Sequence, residues 1–437
     1  MDTIRILAAI HTPPHVNLYL TQFVSGILPA LKSKTGVNMI WLVYQPDKID
    51  KPYGNDDSNT LILDIHDYKN AIELVQKSKP DVIYADASYD LINYALSTAA
   101  KFFDIPTFSI FISDIAHNRG QADLIKSYMT RFFENSIPTD TEQNKRQFMR
   151  RGRFFLYKYL FLLKTQKTSS IGIFRILYNF FLLLKLFLTE TKYVMDPRFS
   201  TTIHFVESEN LIEPLVNAGF NRSSLILTGN PIYDKIFQKL ETLQSSVKRN
   251  DEVIRVLFAP TTLYEHGYQT REQRDTTIKK IVTEILAHKK KISLVVKIHP
   301  ATAVFSEYQS LIHSLDTGIP IYQKGDFIEF LADADVVITF GTSSVDMFSI
   351  IYRKPIINCN FFSEKQDILV EKGLALQCKD PGNLPELICK AMKPDPSYEQ
   401  KRSDFIRDFL YKEDGRAAER ISDVIIKLVE KSQSSLK

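Results

Sequence analysis

Two short stretches carry side chains suited to handling a phosphate. The apolar run in LVVKIHP, from Leu294 to Pro300, ends with Lys297 and His299. A second apolar run ends at Phe340 and is followed by Gly341, Thr342, Ser343 and Ser344. Glycine lets the chain turn sharply. Ser and Thr are good helix N-caps, and the free amides of a helix start attract anions. A histidine at a strand end can donate a hydrogen bond to a phosphate, and a lysine can neutralise one. Thr261, in the Ala259-Pro260-Thr261-Thr262 turn after a third apolar run, is placed to contact the same group or simply to start a turn. Read as adjacent strand ends, these residues suit a nucleotide diphosphate.

A reaction at that group needs a base for an incoming hydroxyl, and His or a carboxylate serves near neutral pH. His11 and His15 follow the first apolar run, and Asp114 and His117 follow the run Thr107 to Ile112. These four are the candidate catalytic residues, and nothing in the sequence selects one of them. His66, His204, His266, His288 and His313 are read as surface or packing residues. Asp333-Ala334-Asp335 matches a D-x-D string but precedes its apolar run, at the wrong end of a strand for a ligand. Cys359, Cys378 and Cys389 form neither a disulfide framework nor a metal pattern. The expectation is chemistry without a metal or bound cofactor, in a reducing compartment.

The elements that must position these residues alternate. Apolar runs at Ile4–Ile10, Val37–Tyr44, Leu61–Ile65, Pro80–Ala85, Thr107–Ile112, Thr202–Glu207 and Leu225–Leu227 predict strands, with helices between them. The pattern restarts at Arg255–Ala259 and continues through Leu294–Ile298, Ile319–Tyr322, Val336–Phe340 and Pro355–Asn358. Alternation of this kind predicts an α/β fold with two doubly wound parallel sheets, whose ligands sit beyond the carboxyl ends of the strands. We divide the chain into a first domain over 1–234, a linker over 235–252, a second domain over 253–415 and a closing helix over 416–437. At 437 residues, with 44% apolar and 24% charged side chains, the composition suits two globular domains, and a net charge of +4 does not by itself point to nucleic acid. The apolar run of the first fifteen residues is too short for a signal peptide and reads as a buried strand.

One segment breaks the alternation. Between residues 143 and 192 there are eleven Lys and Arg, among them Arg150, Arg151, Arg153, Arg175 and Lys185, and a single acid, Glu190. Long apolar stretches lie between the charges. A membrane-crossing helix over Ile171–Leu188 would place Arg175 and Lys185 inside the bilayer and split one sheet across it, so a crossing is disfavoured. An amphipathic helix pair lying on an anionic cytoplasmic membrane face fits better. A cap on the protein's own core, or a homodimer face, is the competing arrangement.

The ordered series TGNPIYD (228–234), LFAPTT (257–262), KIHP (297–300), GTSSVDMFSIIYRKPII (341–357) and DGRAAERISDVI (414–425) resembles the GT-B glycosyltransferase superfamily. Within it the chain is similar to CDP-glycerol glycerophosphotransferases and to UDP-N-acetylglucosamine 2-epimerases. The likeness runs from Thr202 to the C-terminus, and more loosely over the first 120 residues. It implies two Rossmann-like domains facing across a cleft, a nucleotide-activated donor held mainly by the second, and a last helix returning to the first. By match to the motifs, His299 and the Ser343-Ser344 pair would hold donor phosphates. His117 lies near the glycerophosphotransferases' His-Gly motif, with Asn118 in place of the Gly. Their Asp-Tyr-Ser-Ser signature appears as Gly341-Thr342-Ser343-Ser344, with the acid at Asp346. Where the epimerases carry His-Arg-Arg-Glu-Asn, this chain has Tyr264-Glu265-His266-Gly267. The expected function is a metal-independent glycosyltransferase of cell-surface glycan or polymer synthesis. It would act on a lipid-linked or membrane-proximal acceptor from the inner face of the cell membrane. A glycerophosphotransferase and an epimerase are the alternatives.

Overall fold

The computed structural model describes residues 3–10, 26–45, 59–85, 91–111, 141–178, 180–181, 201–244, 253–265, 269–288, 291–300, 303–341, 343–359, 361, 367–393 and 395–435. The first domain holds a parallel sheet of seven strands: β1 (Thr3–Ile10), β2 (Gly36–Val43), β3 (Thr60–Asp64), β4 (Val82–Tyr84), β5 (Thr107–Phe111), β6 (Ile203–Val206) and β7 (Leu225–Leu227). Their order is β3-β2-β1-β4-β5-β6-β7. The second domain holds six more: β8 (Ile254–Phe258), β9 (Ile292–Lys297), β10 (Ile321–Tyr322), β11 (Val336–Thr339), β12 (Ile356–Asn358) and β13 (Ala375–Gln377). They run β10-β9-β8-β11-β12-β13, and every pairing in both sheets is parallel.

The sequence dictates this layering because the central strands are apolar on both sides, as parallel strands covered by helices must be. Along β1, Ile4, Ile6, Ala8 and Ile10 join one core and Leu7 and Ala9 the other. Helices α1 (Ala71–Ser78), α2 (Leu91–Phe102) and α3 (Thr141–Thr168) contribute to the second of these cores. In β8, Val256 and Phe258 face one core and Leu257 the other.

Both sheets reverse direction next to their first strand, β1 beside β4 and β8 beside β11. The reversal is fastened the same way in each. The carboxylate of Asp81, just before β4, accepts the Arg5 N–H of β1 at 2.8 Å. The carboxylate of Asp335, just before β11, accepts the Arg255 N–H of β8 at 2.8 Å. The D-x-D string therefore serves the amino edge of the second sheet, with Asp333 also pairing with Arg255 at 3.3 Å.

The chain then crosses between domains twice. After the short helix α4 (Ile212–Asn217) and β7, the polar stretch read as a linker begins with helix α5 (Asp234–Gln244). Its Ile236, Phe237 and Leu240 are buried in a core of the second domain. That core also takes residues from α8 (Phe327–Asp333), α9 (Ser344–Ile351), α10 (Ile368–Glu371) and α12 (Tyr398–Leu410). The opposite face of the same sheet is covered by α6 (Arg271–Leu286), α7 (Phe305–His313) and α11 (Leu384–Ala391). The last helix, α13 (Ala417–Ser435), inserts Ile421, Ile425 and Val429 into the core of the first sheet beside Ile27 and Leu31 of the helical turns 26–32. Its start is held by Asp234, whose carboxylate accepts the N–H groups of Ala417 and Ala418 at 3.0 and 2.8 Å.

Candidate functional site

Ligands in open α/β sheets bind where the strand order reverses, beyond the carboxyl ends of the strands. In the second domain that point lies between β8 and β11, and the turns after them are Ala259–Thr262 and Phe340–Ser343. They are tied together: the Thr261 hydroxyl donates to the Gly341 carbonyl at 3.2 Å and accepts the Phe340 N–H at 3.3 Å. The start of α9 is built around Asp346. Its carboxylate accepts both the N–H and the hydroxyl of Ser343 at 2.7 Å, and the Thr339 hydroxyl at 2.8 Å. Burial pushes the Asp346 carboxyl up to about 7 despite these bonds, which act in the opposite sense. Ser344 opens the helix with its side chain exposed, while the Asp346 N–H is already bonded to the Ser343 carbonyl at 3.1 Å. Thr342 lies outside the described residues.

His299 follows β9 and is exposed, with its carbonyl accepting from Gln323 at 3.3 Å. The reading of adjacent strand ends needs correction here. β9 and β11 do not touch; β8 lies between them, so Thr261 stands between the His299 and Ser343 ends. Lys297 has partners of its own. It is buried, its ammonium donates to the Gln323 and Ile298 carbonyls at 2.9 and 3.3 Å, and it lies 5.9 Å from the Phe330 ring centre. Burial also lowers its pKa. Its charge thus braces the end of β9 from within.

A polar cluster beside the site was missed by the sequence reading. Arg274 of α6 is buried against Glu265 at 3.6 Å, Asp275 at 2.8 Å and Glu307 at 3.1 Å, with the Tyr264 ring centre 4.5 Å from its guanidinium. The Tyr308 hydroxyl donates to Glu265 at 2.8 Å. This network pins the loop after β8. No local spacing announces it, because Glu265 and Tyr308 are 43 residues apart.

In the first domain the reversal lies between β1 and β4. His11 and His15 follow β1, and Asp114 and His117 follow β5, but all four fall outside the described residues. So do His266 and Lys185, and nothing is described of the side chains of Arg150 and Arg151. His204 is buried beside Ser109 and Thr201, stacked on Phe111, and burial lowers its pKa to about 4. It is a neutral core residue. Among the described residues no group of His, Cys, Asp and Glu is placed to hold a metal ion.

The family model for UDP-N-acetylglucosamine 2-epimerase matches residues 198–426, just over half of the chain, including both turns at the β8–β11 reversal. The chain belongs to that family. No curated protein matches it in sequence. In fold it is similar to an S. aureus MnaA–UDP co-structure, at TM-score 0.52 and 15% identity over 98% of this chain and 97% of that one. UDP-GlcNAc 2-epimerase from Neisseria meningitidis bound to UDP-GlcNAc matches at 0.51 and 15%, over 98% and 100%. The wall teichoic acid polymerase TagF matches at 0.55 and 12%, over 98% and 90%. These likenesses show the fold: this is a GT-B protein, with two Rossmann-like domains.

Proposed function

We propose that this chain is a glycosyltransferase that takes a nucleotide sugar at the carboxyl edge of the second sheet and moves its sugar to a membrane-proximal acceptor hydroxyl. The observation that carries the reading is the joined pair of turns at the β8–β11 reversal. There Thr261 ties to Gly341, and Asp346 holds Ser343 in a form that presents a helix start. The diphosphate would lie against the first turn of α9, with His299 and Ser344 as side-chain donors to it. These groups would stabilise the departing nucleotide as charge develops on it, and a base among His11, His15, Asp114 and His117 would take the acceptor proton. No metal is assigned a part. The loop after β8 commits Glu265 to Tyr308 and Arg274, which leaves that carboxylate an architectural task.

Epimerisation of the nucleotide sugar is the second reading, and the family match over 198–426 favours it. The two are separated by following UDP-N-acetylglucosamine and its UDP, CDP and GDP counterparts by NMR with and without lipid-linked acceptors. Acceptor-dependent release of the nucleotide is expected. Conversion of the donor to its 2-epimer in the absence of acceptor would replace the transferase reading with the epimerase one.

A further inference from the structure

Among the described side chains, those of helix α3 and of the helical segment after it are covered on one side only. The inner side of α3 is well fastened: Phe154, Phe161 and Leu162 are buried in the first domain's core. The Thr165 hydroxyl accepts the Ala71 N–H that starts α1 at 3.0 Å, and Tyr157 donates to the Ile65 carbonyl at 3.1 Å. The chain turns at Ser169–Ser170, and a second helical segment follows over 173–178 and 180–181. It lies back on α3, with the Phe180 ring 5.1 Å from Tyr159 and Ile176 buried.

The other side of this second segment is apolar and uncovered. At 3.6 residues per turn, Ile173, Phe174, Leu177, Tyr178 and Phe181 fall within an arc of about 140°. Their exposures are 62%, 86%, 47%, 60% and 64%. Ile176 and Phe180 lie outside that arc, toward the protein. Leu156 and Leu160, one turn apart on α3, are exposed as well. An amphipathic helix that turns its apolar stripe outward is inverted relative to an ordinary surface helix.

Charge decides what can cover it. Arg153, Lys164, Lys167 and Arg175 are exposed on the same two helices, and residues 143–192 hold eleven basic side chains and one acidic one. A second copy of this face would bring like charges together, whereas an anionic lipid surface satisfies both the apolar stripe and the charge. Among the described residues no helix is long and apolar enough to cross a membrane.

We infer that this face seats the protein on an anionic bilayer surface. Ile173, Phe174, Leu177, Tyr178 and Phe181 enter the boundary between headgroups and acyl chains, and Arg153, Lys164, Lys167 and Arg175 meet the lipid phosphates. The inference is independent of the transferase reading, because vesicle binding needs no turnover. It is tested by co-sedimentation of the full chain with phosphatidylcholine vesicles, with and without phosphatidylglycerol. Binding is expected only to the mixed vesicles and is expected to weaken as salt rises. The triple substitution Phe174→Ser, Leu177→Ser, Phe181→Ser should weaken it at least tenfold, with the thermal midpoint unchanged because these side chains are exposed. Should the triple variant misfold, Phe174→Glu alone makes the same test at the most exposed position. Wild-type protein that stays in the supernatant with both vesicles overturns the proposal, as does a folded variant that binds as well as wild type. A wild-type dimer in sedimentation velocity that the substitutions dissociate, without vesicle binding, assigns the face to self-association instead.

Discussion

At the level of single residues, Asp346 is where burial and hydrogen bonding oppose each other most directly. Its pKa is raised from 3.8 to about 7, so the folded chain holds this proton more tightly than the unfolded one. The stability it contributes is therefore full below about pH 4, falls as pH rises toward 7, and is flat above. Asp346→Asn removes the titration. Relative to the variant, wild type should lose on the order of a few kcal/mol between these limits, read from urea midpoints across pH. Equal pH profiles would show that the carboxyl is not desolvated. Lys297 and His299 separate by the same logic. The buried lysine holds carbonyls, so Lys297→Ala should cost about 1–3 kcal/mol in denaturant midpoint. The exposed histidine should do the reverse: His299→Ala is expected to lower transfer at least tenfold with the midpoint unchanged. Near wild-type transfer by a folded His299→Ala protein would remove it from the site. The sequence showed that both residues end a strand. It did not show which would turn inward, because that depends on Gln323 and Phe330 from the next unit of the sheet.

Among the elements, α9 is short and is held at both ends by side chains, one its own and one from α12. Asp346 closes its start. At its end the buried Arg402 of α12 donates to the Ile350 and Ile351 carbonyls at 2.8 and 3.2 Å, where a cation suits the helix dipole. Glu413 grips the same guanidinium at 3.0 and 2.9 Å. Arg402→Ala should therefore destabilise the second domain by about 2–3 kcal/mol, with reduced affinity for the nucleotide as the turn before α9 loosens. A midpoint within error of wild type would contradict this. The alternation of apolar runs made most strands legible. β13 escaped because Ala375–Gln377 is too short to show a pattern. The length of α3 escaped because its first half is polar, and its place in the first core was read only as the competing arrangement to a membrane-lying helix pair.

For the molecule as a whole, the two domains are joined by an exchange: α5 is packed into the second core and α13 into the first. Gly415 makes the crossing possible. It adopts φ +59, and a Cβ there would lie 2.9 Å from the Asp234 carbonyl oxygen. Ile425→Ala should cost the first domain about 2–4 kcal/mol even though the residue belongs to the chain's last helix, and urea unfolding followed in that domain reads it. The two-sheet plan was visible in the sequence because each half repeats the same alternation. The interposed β8 was not, since strand order depends on which crossovers pack and not on any local run. That order is what puts Thr261 between His299 and Ser343, and the proposed diphosphate site lies across these three ends. Calorimetric titration of wild type and His299→Ala with UDP, CDP and GDP tests it directly. One of the three should bind wild type and lose at least tenfold in affinity in the variant. Binding of none of them to the folded wild-type chain, or equal affinity in both proteins, would contradict the site.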